Sequence, residues 1–222
     1  TMVIIILCTV LYNLNWFVSA HFVMKGIENY LVNLEQNANI SELRYSAPKL
    51  TGYPYKLNLE MEGIHFKSQG QVFNVDLLQA QSWPLLNMPI SIQAQNINVL
   101  LPRQGTPLFF NAFDAILTHH NNVLTIKKSA LYANTTVGRV SGIIDTSKPP
   151  YPIINLNLDL ENHMPFLLDL VAKNLVKQKQ AMFANIALNA LQQDGVVHTT
   201  LTSQDNKIYL GPLRIFELPL KN

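Results

Sequence analysis

Tyr55-Lys56-Leu57-Asn58-Leu59-Glu60-Met61-Glu62 decides the fold, because Tyr55, Leu57, Leu59 and Met61 alternate with Lys56, Asn58, Glu60 and Glu62. A period of two sends alternate side chains to opposite faces of an extended strand, one face buried and one wet. The same period recurs downstream. Phe73, Val75 and Leu77 alternate with Val72, Asn74 and Asp76, and Gly70 supplies the turn before them. Trp83-Pro84 and Met88-Pro89 break the pattern, which resumes at Ile90, Ile92 and Ala94 and runs on to Val99 and Leu101. Further strands are predicted at Phe113-Ala115-Leu117, Leu124-Ile126, 137–144 and Ile154-Leu156-Leu158-Leu160, with Asn121-Asn122 as a tight hairpin turn.

The period then changes. Pro165 suits a first helical turn, Leu167, Leu170, Val171 and Leu175 share one face, and Asp169, Lys173 and Lys177 share another. This predicts a helix over 165–180, with Met182, Phe183, Ile186, Ala187, Ala190 and Leu191 continuing at helical spacing until Asp194-Gly195. Val197-Thr199-Leu201 and Ile208-Leu210 flank Asp205-Asn206 as a closing hairpin. The expected fold is therefore α+β, an antiparallel β-rich domain packed on one or two helices.

Upstream, Gly52-Tyr53-Pro54-Tyr55 starts the first strand at a defined angle, since proline fixes its own torsion and glycine permits a sharp entry. A functional alternative has Tyr53 and Tyr55 touching a ligand. At the N-terminal end, Val3 to Leu11 is almost wholly aliphatic, and the first formal charge is Lys25. About 20 apolar residues cross a bilayer core. Residues 12–16 read as an interfacial aromatic belt, and Val18-Ser19-Ala20 matches a small-residue cleavage site, so anchor and signal segment both fit. Apolar spacing through Ile27, Tyr30, Leu31 and Leu34 favours one helix leaving a membrane. The division is residues 1–24 as transmembrane anchor or uncleaved signal segment and 25–222 as one domain, with 25–38 a stalk helix.

Sixteen basic and fourteen acidic residues are interspersed in the 222-residue chain, and the longest basic cluster is Lys127-Lys128. That is a solvated surface and excludes a nucleic-acid footprint. The one cysteine, Cys8, lies in the apolar run, so no intrachain disulfide forms.

No catalytic, cofactor-binding or metal-ligating residues are assigned, and a non-enzymatic protein is expected. His119 and His120 are adjacent and point to opposite faces of a strand, which does not suit chelation of one metal. His65, His163 and His198 are isolated, and Gly138-Arg139-Val140-Ser141-Gly142 misses the nucleophile-elbow spacing by one position. Glu60 and Glu62 share a wet strand face and carry no implied acid/base role. The nine glycines are dispersed, with no phosphate-binding loop.

Three groups of residues carry a family resemblance. They are residues 11–20 (Leu-Tyr-Asn-Leu-Asn-Trp-Phe-Val-Ser-Ala), Gly26-Ile27-Glu28-Asn29-Tyr30 and Gly52-Tyr53-Pro54-Tyr55-Lys56-Leu57. With Asp194-Gly195-Val196-Val197, Leu210-Gly211-Pro212-Leu213 and Leu218-Pro219-Leu220 at the end, the chain resembles the bacterial domain-of-unknown-function family 2125. It departs from that pattern in lacking a tryptophan and paired glycines in its middle and in its compact C-terminal hairpin. The resemblance implies a bacterial inner-membrane protein with its globular part in the periplasm and no established activity. It is also similar, at fold level, to AsmA-like envelope proteins, whose curved sheets carry lipid in a hydrophobic groove. Two functions follow as expectations. One is a membrane-tethered module of the cell envelope that holds a lipid or other apolar ligand between the sheet and the helix at 165–180. The other is a structural or interaction module whose sheet or edge strand docks an envelope protein.

Overall fold

The computed structural model describes residues 2–37, 39–68, 70–84, 88–102, 106–147, 151–204, 206–211 and 213–217. Asp205 of the expected hairpin, and Pro212 and Leu218-Pro219-Leu220 of the resemblance, lie outside them. A long helix α1 (Met2–Glu35) precedes β1 (Ile40–Arg44), β2 (Lys49–Thr51), β3 (Leu57–Ser68), β4 (Gln71–Ser82) and β5 (Ile90–Leu100). Then come β6 (Leu108–His120), β7 (Val123–Ala133), β8 (Thr136–Asp145) and β9 (Ile153–Glu161). The helices α2 (His163–Ala172) and α3 (Gln178–Ala190) separate these from β10 (Gln192–Gln193), β11 (Val196–Gln204), β12 (Lys207–Leu210) and β13 (Leu213–Glu217).

All thirteen strands form one antiparallel sheet in the order β1-β3-β4-β5-β6-β7-β8-β9-β11-β12-β13, with β2 and β10 attached to β3 and β11. From β3 to β9 each strand pairs with the next in sequence. Three of the six connections are two-residue hairpins, in which Gly70 (φ 79°), Asn121 (48°), Asn122 (65°) and Asn134 (53°) take the left-handed torsions such turns need. The expectation of an antiparallel β-rich α+β fold with an N-terminal helix is met.

Register gives the sheet two unlike faces, since directly opposed residues share a face. One row across eight strands reads Met61, Leu78, Ala94, Phe113, Leu131, Gly138, Leu160 and Val197. The row one residue away reads Glu60, Gln79, Gln93, Asp114, Ala130, Arg139, Asp159 and His198. The polar face is knitted by side chains. Gln79 donates to Glu60 at 2.9 Å, Gln81 to Asn58 at 2.8 Å, and Arg139 pairs with Glu161. The Glu161 hydrogen bond is also the main cause that raises the Arg139 guanidinium pKa above its ordinary value.

Two devices interrupt the alternation. Apolar positions step by three across Gly63 (Met61 to Ile64) and Asn96 (Ala94 to Ile97), both left-handed at φ 61° and 52°. A non-extended residue breaks the two-residue alternation, so each pattern restarts one residue out of step. In β7 the register shifts by one between Ile126 and Ser129 against β8, a bulge at the exposed Lys127-Lys128 pair.

The apolar face is only partly covered. Leu59, Leu78, Ile92, Phe113, Leu117 and Leu158 are half-buried, and full burial is confined to residues such as Leu57, Met61, Ala115, Leu156 and Val197. The accessible surface is 14563 Å². A compact monomer of 25.1 kDa exposes about 10,300 Å². The excess reflects a single sheet with a projecting helix and no complete second layer.

The structure differs from expectation in three places. Tyr55 sits in a turn and the strand begins at Leu57. The helix predicted over 165–180 is two helices, because the chain leaves α2 at Lys173 and Asn174 turns left-handed at φ 57° before α3 starts at Gln178. Finally, Trp16 is buried instead of facing outward as a belt residue, since its indole nitrogen has a partner within the domain.

Candidate functional site

The site grows from the way α1 meets the sheet. Its covered residues include Trp16, Ala20, Met24, Ile27, Leu31 and Leu34, at steps of four, four, three, four and three, with Tyr12, Asn13 and Ser19 also half-buried. That is one stripe of a helix. Trp16 packs with Ala20, Leu57 and Leu50, and its Nε1 donates to the Lys56 carbonyl at 2.9 Å. Tyr53 lies edge-on to Trp16 with centroids 5.2 Å apart, and its hydroxyl donates to Asn13. Asn15 donates to the Pro84 carbonyl at 2.5 Å.

Gly52-Tyr53-Pro54-Tyr55 therefore forms a socket for the helix. Gly52 is required there: φ is 99°, and a Cβ would stand 2.6 Å from the Lys56 carbonyl oxygen. The Tyr53-Pro54 peptide is cis. Tyr53 touches the helix, whereas Tyr55 is exposed.

Beside this seam, Val18 and Phe22 are more than half exposed. Between these residues and the sheet lies a groove of about 990 Å³, lined by Asn15, Val18, Ser19, Phe22, Val23, Leu57, Ser82, Trp83, Pro84, Met88, Ile90 and His119. Small-molecule sites run to roughly 1,000 Å³, so this one is at the large end. Among the described residues no lysine, arginine, aspartate or glutamate lines it. Leu57, Ile90 and His119 come from the apolar face, so the groove is where that face meets the helix.

Leu14 and Leu11 precede Val18 by four and seven residues and so lie on the same side of α1, and in this N-terminal half Ile4, Ile5, Ile6, Val10, Leu11 and Leu14 are 48–65% accessible. Residues Ile4–Glu35 make a helix long and apolar enough to cross a membrane. Two other recesses are polar. One of about 270 Å³ on the opposite face is lined by Asn58, Glu60, Gln79, Gln81, Ser91 and Gln93. One of about 390 Å³ beside α2 and α3 is lined by Asn162, His163, Met164, Asn185, Asn189, Gln192 and Gly195. The large apolar groove thus lies at α1, not beside residues 165–180.

The isolated histidines have polar partners. His65 Nδ1 is 2.6 Å from Asn74, His163 Nε2 is 3.0 Å from Asn185, and His198 Nδ1 is 2.7 Å from Asp159. Among the described residues no group of three or more His, Cys, Asp or Glu is placed to hold a metal ion. His119 lines the groove, and His120 follows it in β6.

Sequence reasoning read Trp83-Pro84 and Met88-Pro89 only as a break in the strand pattern, whereas Trp83, Pro84 and Met88 line one side of the groove. Two aromatic or thioether side chains beside prolines, between two amphipathic strands, was the available signal. No family model matches the chain, and no curated protein or solved structure matches it with significance.

Proposed function

We propose that the protein is a membrane-anchored, non-enzymatic module of the bacterial cell envelope that accommodates the apolar part of a lipid in the groove between α1 and the sheet. The observation that carries this reading is that the groove, uncharged among the described residues, borders the exposed apolar turns of α1 on one side and the apolar sheet face on the other. An acyl chain leaving a bilayer along α1 meets mainly apolar side chains, with Asn15, Ser19, Ser82 and His119 the polar ones, and no charged group of the described lining has to be desolvated. Localisation in the inner membrane with the sheet in the periplasm rests on the resemblance to the family 2125 pattern.

Retention of α1 as an anchor is supported by its packing. Cleavage after Ala20 would remove Trp16 and Ala20 from the cluster with Leu57 and leave the Lys56 carbonyl without the indole donor.

The test is native mass spectrometry of the full chain released from nanodiscs, combined with binding of a fluorescent long-chain fatty acid. Bound lipid is expected, and Val23→Trp, which fills the groove from an exposed helix position, is expected to reduce probe binding at least tenfold. Unchanged probe binding in that variant would overturn the assignment of the site. The absence of both lipid and probe binding would move the weight to a protein-docking role, for which β13, the terminal strand of the sheet among the described residues, offers an edge.

A further inference from the structure

The helical pair at the other end of β6 has a different surface from the rest of the domain. Phe166 of α2 packs on Phe110 with centroids 6.2 Å apart, whereas the α1 groove ends at His119. Nine residues of extended strand, about 30 Å, separate these two positions.

Ala181 is the buried contact of α3. Around it, Met182, Phe183 and Ile186 are 63%, 59% and 56% exposed, and Leu168 of α2 is 58% exposed. From Lys173 to Gln193 the chain contains three lysines and no carboxylate; Lys173 is paired with Asp169 of α2, which leaves Lys177 and Lys179 as the cations of this surface. The Lys179 ammonium lies over the Phe183 ring, 5.9 Å from its centroid, so a cation sits directly beside the exposed apolar side chains. Exposed large apolar side chains on a helix bordered by cations are the features that bind an interface of acyl chains and anionic headgroups.

We propose that α2 and α3 form a docking surface for an anionic lipid bilayer, separate from the α1 groove. Phe183, Ile186 and Met182 enter the acyl boundary, and Lys177 and Lys179 meet the headgroup phosphates. The positive charge favours this occupant over an apolar protein surface, which offers no partner for uncompensated lysines.

The experiment uses the full chain held by α1 in phosphatidylcholine nanodiscs, floated with vesicles of phosphatidylcholine alone or with phosphatidylglycerol. Flotation is expected only with the anionic vesicles and is expected to weaken at high salt. The double variant Phe183→Gln/Ile186→Gln should lower it about tenfold, and Lys177→Gln/Lys179→Gln by a similar factor. All four positions are exposed, and circular dichroism checks that the fold persists. Equal flotation with neutral vesicles, no flotation at all, or wild-type flotation by the double variants would each overturn the proposal. It would also fail if the apolar variants instead converted a dimer to a monomer by mass photometry, which would make the face an interface between copies of this chain.

Discussion

The two faces of the sheet come from the same strands one residue apart, yet one is a partly covered apolar surface and the other a lattice of amides, hydroxyls and ion pairs. The row through Met61 and Val197 relies on burial, which scales with area removed from water. The row through Glu60 and His198 relies on hydrogen bonds at the surface, where each contributes little net. Neighbouring positions in one strand should therefore differ sharply in their tolerance of charge.

The largest effect is expected from Leu156→Asp, set against Asn157→Asp next to it. Leu156 is 7% exposed on the apolar face, and an unpaired carboxylate there should cost more than about 4 kcal/mol. Asn157 is exposed, and its substitution should stay within about 0.5 kcal/mol. Urea unfolding in mild detergent reads both, and similar losses would show that the faces are not energetically distinct.

Trp16→Ala comes next. Removing a buried indole from the α1 seam should destabilise by about 3–5 kcal/mol, read in the same urea unfolding experiment. Trp16→Phe retains most of the packing and loses the bond to Lys56, about 1 kcal/mol. A smaller cost is expected for Gly142→Ala. Gly142 has φ 137°, and a Cβ there would collide with the Asn155 carbonyl, so about 1–3 kcal/mol of strain should appear in the thermal midpoint.

The smallest effect belongs to the polar face. Arg139 and Glu161 are 38% and 37% exposed, so Arg139→Ala should change stability by less than about 1 kcal/mol. A loss of several kcal/mol in that variant would mean the wet face carries more of the fold than its exposure implies.

Strands β3 to β9 and β11 were legible because each has a wet side and an apolar side, and that contrast writes a period of two into the sequence. The hairpin at Asn121-Asn122 was legible for a similar reason, since asparagine tolerates left-handed torsions. The short strands β1 and β2 were not, because three to five residues do not establish a period. The break between α2 and α3 was hidden because Leu175 keeps helical spacing with Leu167 and Val171 while the backbone departs at Asn174. Trp16 was misread because an indole with an apolar body and one donor suits a headgroup interface and a carbonyl on a domain equally well. The groove escaped notice because its walls come from α1, the ends of β3, β4, β5 and β6, and Trp83, Pro84 and Met88, which are distant in sequence.

The run of strands from β3 to β9, each paired with its sequence neighbour, bears on how the chain acquires its shape. Every new strand needs only a short loop closure onto the one before it, so pairing can advance as a zipper from the N-terminal side while the remainder is still being delivered. The same connectivity makes the sheet modular in width: inserting or deleting one hairpin changes the span of the apolar face by two strands without rerouting any other connection.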